Sequence, residues 1–418
     1  MFSLIAEPLT GAVDTAFLAQ LGAVPAAALG VATMLLSSLF WIFNFLGVGT
    51  QTEVARALGE AAPDHARDAA GLALALALSI GVGLALLSWP VLEVAVAFMS
   101  TDILVQRASV TYLEIRLIGG PAVLLTMAAF GAMRGLQDMR TPLQIAVAAN
   151  VINVVLDVVL ISGFGPVPAM GVAGAAWAAT VGQWVGALWA LYAVRRRLGL
   201  PPALRWREAR SLLRVGRDLT ARTGLLLLFI FLGTRAATLS GTEVGAAHQA
   251  IRQIWMLSAL VLDAFAMTAQ SLIGFFHSGN RSDLARRVAG VACVWGLGSG
   301  VLLTVGMLAS TDIVALLLVP ESAREIFPRA WIIAAITQPL NALSFVTDGI
   351  HWGTRDYPYL RNAMFTATGV GTLILFAISG EPEAALAWIW WATAVWIAIR
   401  TLFGMGRIWP GWGTSPLK

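Results

Sequence analysis

Residues 119–138, GGPAVLLTMAAFGAMRGLQD, return 218 positions later as residues 337–356, TQPLNALSFVTDGIHWGTRD, with Pro121 answering Pro339, Gly135 answering Gly353 and Asp138 answering Asp356. Each copy is an apolar run that opens near a proline and closes on a polar turn. Upstream the offset is 219. It pairs Gly22 with Gly241, Ala27-Ala28 with Ala246-Ala247, Gln51 with Gln270, Ala66-Arg67 with Ala285-Arg286, and Ala70-Gly71 with Ala289-Gly290. Small apolar residues recur by chance in such a chain. A register that persists through Gln, Arg, Pro and Asp is harder to dismiss, and internal duplication of an apolar chain marks many secondary transporters.

Composition places this duplication in a membrane. Of 418 residues, 58% are hydrophobic and 12% charged, and the mean hydropathy is +0.79; soluble domains carry roughly a quarter charged residues. Cys293 is the sole cysteine, which rules out an intrachain disulfide and argues against a cysteine-ligated metal. His65, His248, His277 and His351 show no ligand spacing, so neither a metal site nor an intramembrane enzyme is expected, and no cofactor is called for. The net charge of +4 sits on arginines at the ends of apolar segments rather than on one face, which argues against a nucleic-acid partner. Met1 runs into an apolar stretch without a basic flank or a cleavage site, so the first segment is expected to stay in the bilayer.

A bilayer core takes about 20 apolar residues per helix. Spans are predicted near 2–21, 25–54, 70–98, 106–132, 142–163, 170–194, 219–240, 246–275, 286–308, 325–351, 359–379 and 384–406. The expected fold is therefore all-α: twelve transmembrane helices in two six-helix lobes. An even number per repeat relates the lobes by a pseudo-two-fold axis along the membrane normal. Residues 1–194 would form the first lobe, 195–217 a basic cytoplasmic linker, 218–406 the second lobe and 407–418 a cytoplasmic tail. Loops after even-numbered spans hold Arg56, Arg67, Arg134, Arg140, the run from Arg195 through Arg222, Arg281, Arg286, Arg287, Arg355 and Arg361. The other side holds Arg107, Arg116, Arg235, Arg252, Arg324 and Arg329. Positive charge collects inside, so both termini are expected in the cytoplasm.

Charges within spans cost about 2.5–3.5 kcal/mol each on insertion scales and need a reason. Asp14 lies inside the first span and Asp157 inside the fifth. Asn153 precedes Asp157 by four residues, on the same helix face, where its amide can hydrogen-bond the carboxyl. Desolvation raises a carboxyl pKa, so this pair suits taking and releasing a proton. The repeat places Gly233 and Gly371 opposite Asp14 and Asn153, leaving that acid site in one lobe only. Asp263 and Asp348, in the eighth and tenth spans, map onto Asn44 and Phe130. They are either a second ion or substrate site or acids paired to Asn, Ser or Thr neighbours. Pro8, Pro121 and Pro339 are hinge candidates, because proline removes a backbone hydrogen bond and bends helices.

These residues resemble the multidrug and toxic compound extrusion (MATE) family, and within it the branch named for the DNA-damage-inducible protein F. The resemblance covers nearly the whole chain. It rests on Glu7-Pro8-Leu9 with Asp14-Thr15 and Leu21-Gly22, on Arg134-Gly135-Leu136-Gln137-Asp138 with Thr141-Pro142, and on Asn153 to Asp157. It continues in Gly171-Val172-Ala173-Gly174-Ala175-Ala176, Gly245-Ala246-Ala247-His248-Gln249, Asp263-Ala264-Phe265 with Ala269-Gln270, and Asp348-Gly349. It implies two lobes around a cavity and antiport of amphipathic, often cationic compounds against protons or sodium, in a bacterial cytoplasmic membrane. Lipid would be the surrounding medium, and the working unit a monomer.

By the same resemblance Asp14, Asn153 and Asp157 match a cation-responsive pocket, to which Thr180 belongs, and Asp348 matches an acid that some members use for sodium. The acid that accompanies it in the seventh span is replaced by apolar sequence around Leu226, which favours protons. Members usually carry more residues ahead of the Glu-Pro-Leu element than the six before Glu7, so either the first helix is short or the start lies upstream. The closest alternative is a lipid-linked oligosaccharide flippase of related architecture. That protein would be expected to carry a basic cavity for a pyrophosphate, whereas acids dominate the spans here, and Arg116, Arg235 and Arg252 remain to be placed.

Overall fold

In lipid, long runs of Ala, Leu, Val and Gly satisfy their backbone only as helices or closed barrels, and most of the described residues are helical. A computed structural model describes residues 17–18, 21–100, 102–199, 201, 206–377, 382–411 and 413–417. The chain divides into two units, one ending at Gly216 and the other beginning at Arg217. The first contains α1 (Ala23–Trp41), α2 (Phe45–Gly59), α3 (Pro63–Ser88), α4 (Leu92–Met99), α5 (Ile103–Ile118), α6 (Gly120–Gly135), α7 (Arg140–Ser162) and α8 (Val172–Leu198). Then follow α9 (Trp206–Leu239), α10 (Thr242–Ser278), α11 (Ser282–Ala309), α12 (Thr311–Leu318), α13 (Phe327–Ile336), α14 (Gln338–Gly353), α15 (Tyr357–Phe376) and α16 (Pro382–Ile408).

Helices occupy every predicted span from 25–54 onward; the first span, with Pro8 and Asp14, lies outside the described residues. Among those residues seven helical stretches are long and apolar enough to cross a membrane, or nine if each of two bent pairs is one span. α8 and α15 are of spanning length, at 27 and 20 residues, but fall short on apolarity.

The predicted basic linker is mostly helix. α8 continues through Arg195, Arg196 and Arg197, where cations suit the negative end of the helix dipole, and α9 resumes at Trp206, so only residues 199–205 intervene. Residues of the predicted C-terminal tail are tied back to their own unit. Ser415 donates to the Ile408 carbonyl at 2.9 Å, and Arg286 donates to the carbonyl of buried Leu417 at 2.9 Å.

The duplication reappears as duplicated contacts. A Cβ on Gly135 would lie 2.8 Å from the Gln51 carbonyl, and a Cβ on Gly353 2.8 Å from that of Gln270. α6 thus rides on α2 as α14 rides on α10. Likewise Gly81 of α3 abuts Pro121 as Gly300 of α11 abuts Pro339. The sequence pairs Gln51 with Gln270 at the same offset of 219 that relates Gly81 to Gly300.

Both hinge prolines sit at breaks. Pro121 opens α6, which bends 48° from α5, and Pro339 opens α14, which bends 42° from α13. A proline leaves the carbonyl four residues back without its partner; for Pro339 that carbonyl is Ala335, which accepts from the Thr304 hydroxyl of α11 at 2.7 Å and from the Thr337 N–H. Thr401 of α16 donates to the Leu340 carbonyl at 2.8 Å. At the other bend α8 supplies the donors: Thr180 to the Ile115 carbonyl at 3.2 Å, and Trp184 to that of Ile118 at 3.1 Å.

Asp138 and Asp356 hold the turns that follow α6 and α14. Asp138 accepts from the Thr141 hydroxyl at 2.7 Å and from Arg197 at the end of α8. Asp356 accepts from Arg407 at the end of α16 at 2.9 Å and faces His351 Nδ1 at 3.2 Å. Burial pushes both carboxyl pKa values up, but hydrogen bonds from these partners outweigh it, and both lie below the usual value.

Candidate functional site

Two buried polar centres stand out, one in each unit. In the first, α7 packs against α8 where α8 is stripped to glycine: a Cβ on Gly182 would sit 2.9 Å from the Ala149 carbonyl and 3.4 Å from Asn153 Cβ. This close approach buries Asn153, 3% exposed, and Asp157, fully buried one turn on. The predicted common face is therefore present. The predicted amide–carboxyl bond is not, because both Asn153 amide atoms are buried without a hydrogen-bond partner among the described residues.

Thr180 does not join this pair. It lies two residues before Gly182, about 200° around α8, and its hydroxyl is spent on the Ile115 carbonyl across the α5–α6 bend. The expected pocket member is thus a residue that seals a helix break. Asp14 would complete the set but lies outside the described residues.

In the second unit Asp348 of α14 is buried, 6% exposed. It is not paired to Asn, Ser or Thr. Arg222 of α9 and Arg400 of α16 both donate through Nη2 to its Oδ2, Arg400 at 2.8 Å. The arginines are as buried as their partner, 7% and 6% exposed, and the Nε of each has no acceptor among the described residues. Aromatic rings back both guanidinium planes: Trp352 lies 5.2 Å from Arg222, and Trp396 and Phe345 lie 4.5 and 5.9 Å from Arg400.

Asp263, the other acid predicted for this lobe, lies half-buried on α10. Sequence reasoning misses both arginines. Arg222 reads as the last member of a cytoplasmic basic run, and a search for buried acids passes over Arg400. The available signal is a lone arginine in the apolar run Ala394-Val395-Trp396-Ile397-Ala398-Ile399-Arg400, which needs a partner as much as a lone acid does.

The expectation that acids dominate is reversed here, since this centre carries two formal positive charges against one negative. The other arginines left for placement are engaged singly or lie apart from it. Arg116 donates to Gln183 at 2.8 Å, Arg252 to Gln249 at 3.1 Å, and Arg235 is exposed on α9.

Comparison with known proteins gives a consistent result. The MatE family profile matches residues 1–159 and 223–378. The Arabidopsis thaliana protein named Protein DETOXIFICATION 44, chloroplastic, is 30% identical over 100% of this chain and 81% of its own length. The DNA damage-inducible protein F of Escherichia coli K12 is 29% identical, over 98% of this chain and 89% of its own. Among solved structures, a MATE protein crystallised in a bent conformation superposes with a TM-score of 0.87 at 19% identity, covering 97% of this chain and 92% of the other.

Proposed function

This chain belongs to the MatE family and is a membrane transporter of small molecules, and from that premise we propose that it exports amphipathic compounds in exchange for protons. One observation carries the reading: Asp157 is fully buried on a membrane-length helix, one turn from an Asn153 amide with no partner among the described residues. A carboxyl so placed is desolvated and favours its protonated form until water or a cation reaches it. Loss of the proton would leave a buried charge that the packing around α7 and α8 must answer. Proton arrival and departure would thereby bias two arrangements of the helices, and the lobes would alternate access to either side.

A cationic headgroup on the passenger suits an acidic pair of this kind. The working unit would be a monomer in a bacterial cytoplasmic membrane, with both termini inside and drawing on no cofactor. The multidrug and detoxification names of the relatives favour export over oligosaccharide flipping. Asp348, held by two arginines, is poorly suited to sodium, which supports protons as the coupling ion.

The test is Asp157→Asn in proteoliposomes under an imposed pH gradient. Substrate efflux should fall to the level of empty vesicles while the protein still elutes as a folded species. A protonophore should abolish wild-type efflux, and a sodium gradient should leave it unchanged. Wild-type rates from the variant would overturn the assignment.

A further inference from the structure

A buried ion cluster that served packing alone would balance its charges. The Arg222–Asp348–Arg400 centre does not: both guanidinium groups converge on one carboxylate oxygen, and the remaining positive charge is desolvated. Burying an uncompensated ion is costly even after the protein relaxes around it. Neither Asp356 nor Asp218, one turn before Arg222 on α9, supplies the balance, because Asp356 is held by Arg407 and Asp218 by Arg217 and Arg361. Three further features surround the surplus charge. The Nε of each arginine is buried without an acceptor among the described residues. The Ser344 hydroxyl, 1% exposed and one turn before Asp348 on the same face of α14, has no hydrogen-bond partner among them either. The flanking rings of Trp352, Trp396 and Phe345 offer apolar walls beside the charges.

We infer that Arg222 and Arg400 form a site for a single oxyanion, a carboxylate or a phosphate on an amphipathic molecule, for which Asp348 is the internal stand-in. The guanidinium fork matches such groups in geometry and stays charged at any physiological pH. In the arrangement seen here the Asp348 carboxylate occupies the place that the ligand's oxyanion would take. An entering anion would displace Asp348 and draw on the idle Nε donors and on the Ser344 hydroxyl. The inference rests on the transporter reading only in making the bound molecule a passenger; the binding itself is independent of Asp157 and of transport. The shared chemistry has two sources, a free amphipathic acid and an anionic lipid headgroup.

Full-length protein in nanodiscs of phosphatidylcholine tests this with benzoate as the probe and uncharged benzamide as its control, read by equilibrium binding and by the thermal midpoint. Asp348→Asn removes the competing carboxylate, so benzoate should bind it about tenfold tighter or more than wild type and raise its midpoint more. Benzamide should do neither. Arg400→Gln leaves one arginine on one carboxylate, a neutral pair, and should lose benzoate binding about tenfold or more relative to wild type. That comparison stands even where Asp348→Asn does not fold.

Replacing phosphatidylcholine by phosphatidylglycerol separates the sources. Stabilisation of Asp348→Asn by the anionic lipid alone, abolished by adding Arg400→Gln, assigns the site to a headgroup; benzoate binding in the neutral lipid assigns it to a free acid. If neither anion distinguishes wild type and Asp348→Asn from the Arg400→Gln proteins, the inference is wrong and the cluster is packing. Direct binding that survives in an Asp157→Asn background would show that failure of the proton-coupling reading leaves this one standing.

Discussion

Gly81→Ala should destabilise this protein while Gly83→Ala, two residues along the same helix, stabilises it. A Cβ on Gly81 would lie 2.5 Å from Cα of Pro121, 3.1 Å from its nitrogen and 3.2 Å from its Cβ, whereas a Cβ on Gly83 meets nothing within 4 Å. Carbon atoms pack at about 3.5–4.0 Å, so α3 must retreat by roughly 1 Å from the start of α6. The obstacle at Gly81 is backbone, which no rotamer change relieves. Overpacking of this kind costs about 1–3 kcal/mol, and replacing a helical glycine returns up to about 1 kcal/mol. Gly81→Ala should therefore lose about 1 kcal/mol net, and Gly83→Ala should gain about 0.5–1 kcal/mol.

The second copy makes the same forecast. Gly300→Ala would place its Cβ 2.7 Å from Pro339 Cα and 2.8 Å from the Gln338 carbonyl, and Gly298→Ala would touch nothing. Thermal unfolding in detergent, followed by tryptophan fluorescence, reads all four. Midpoints for Gly81→Ala and Gly300→Ala at or above wild type would refute the claim that each proline bend is clamped by a glycine of a neighbouring helix, α3 or α11.

Thr304→Val should lower the midpoint by the equivalent of about 1 kcal/mol, because it strips the interhelical donor from the Ala335 carbonyl, which Pro339 cannot serve. Thr393→Val, which loses only a bond to a carbonyl of its own helix, is the control, and equal effects would count against the argument. Asp356 titrates below its unfolded value near 3.9. Its contribution is therefore complete above about pH 4 and is lost as pH falls through the lower folded value. The thermal midpoint of wild type should fall on that acid limb, and Asp356→Asn should flatten it while lowering the midpoint at pH 7; parallel curves between pH 3 and 7 would sink the reading.

How far the sequence can be read depends on how far apart the interacting residues lie. Apolar segments set helix positions locally, and prolines mark the bends, so the described spans and both breaks are legible in the sequence. The offset of 219 predicts which residues are equivalent, and Gln51 and Gln270 receive equivalent glycines. What stays hidden depends on partners distant in the chain. Arg222 and Asp348 are 126 residues apart, and Arg400 and Asp348 are 52. Nothing local to Arg222 distinguishes it from its basic neighbours Arg217 and Arg214. Thr180 departs from expectation for a different reason: membership of a helix beside the pocket does not fix orientation toward it, and about 200° of rotation separates Thr180 from the contact at Gly182.

The duplication keeps backbone and releases side chains. Where two helices approach within glycine distance, at Gly81 and Gly300 or at Gly135 and Gly353, a change in either copy meets main-chain or tightly packed atoms, and both copies are the same. Buried side-chain positions are under no such constraint, and there the lobes diverge in sign: a carboxyl on α7 in the first, a surplus guanidinium around α14 in the second. That second centre sits on the helix that carries the bend. Asp348 lies nine residues after Pro339 on the same helix, and the hydroxyls of Thr304 and Thr401 stitch the bend at the start of that helix to α11 and α16. Arg400 is the neighbour of Thr401 in sequence. In this lobe the charged centre and the proline bend therefore share one helix, α14, and one partner helix, α16.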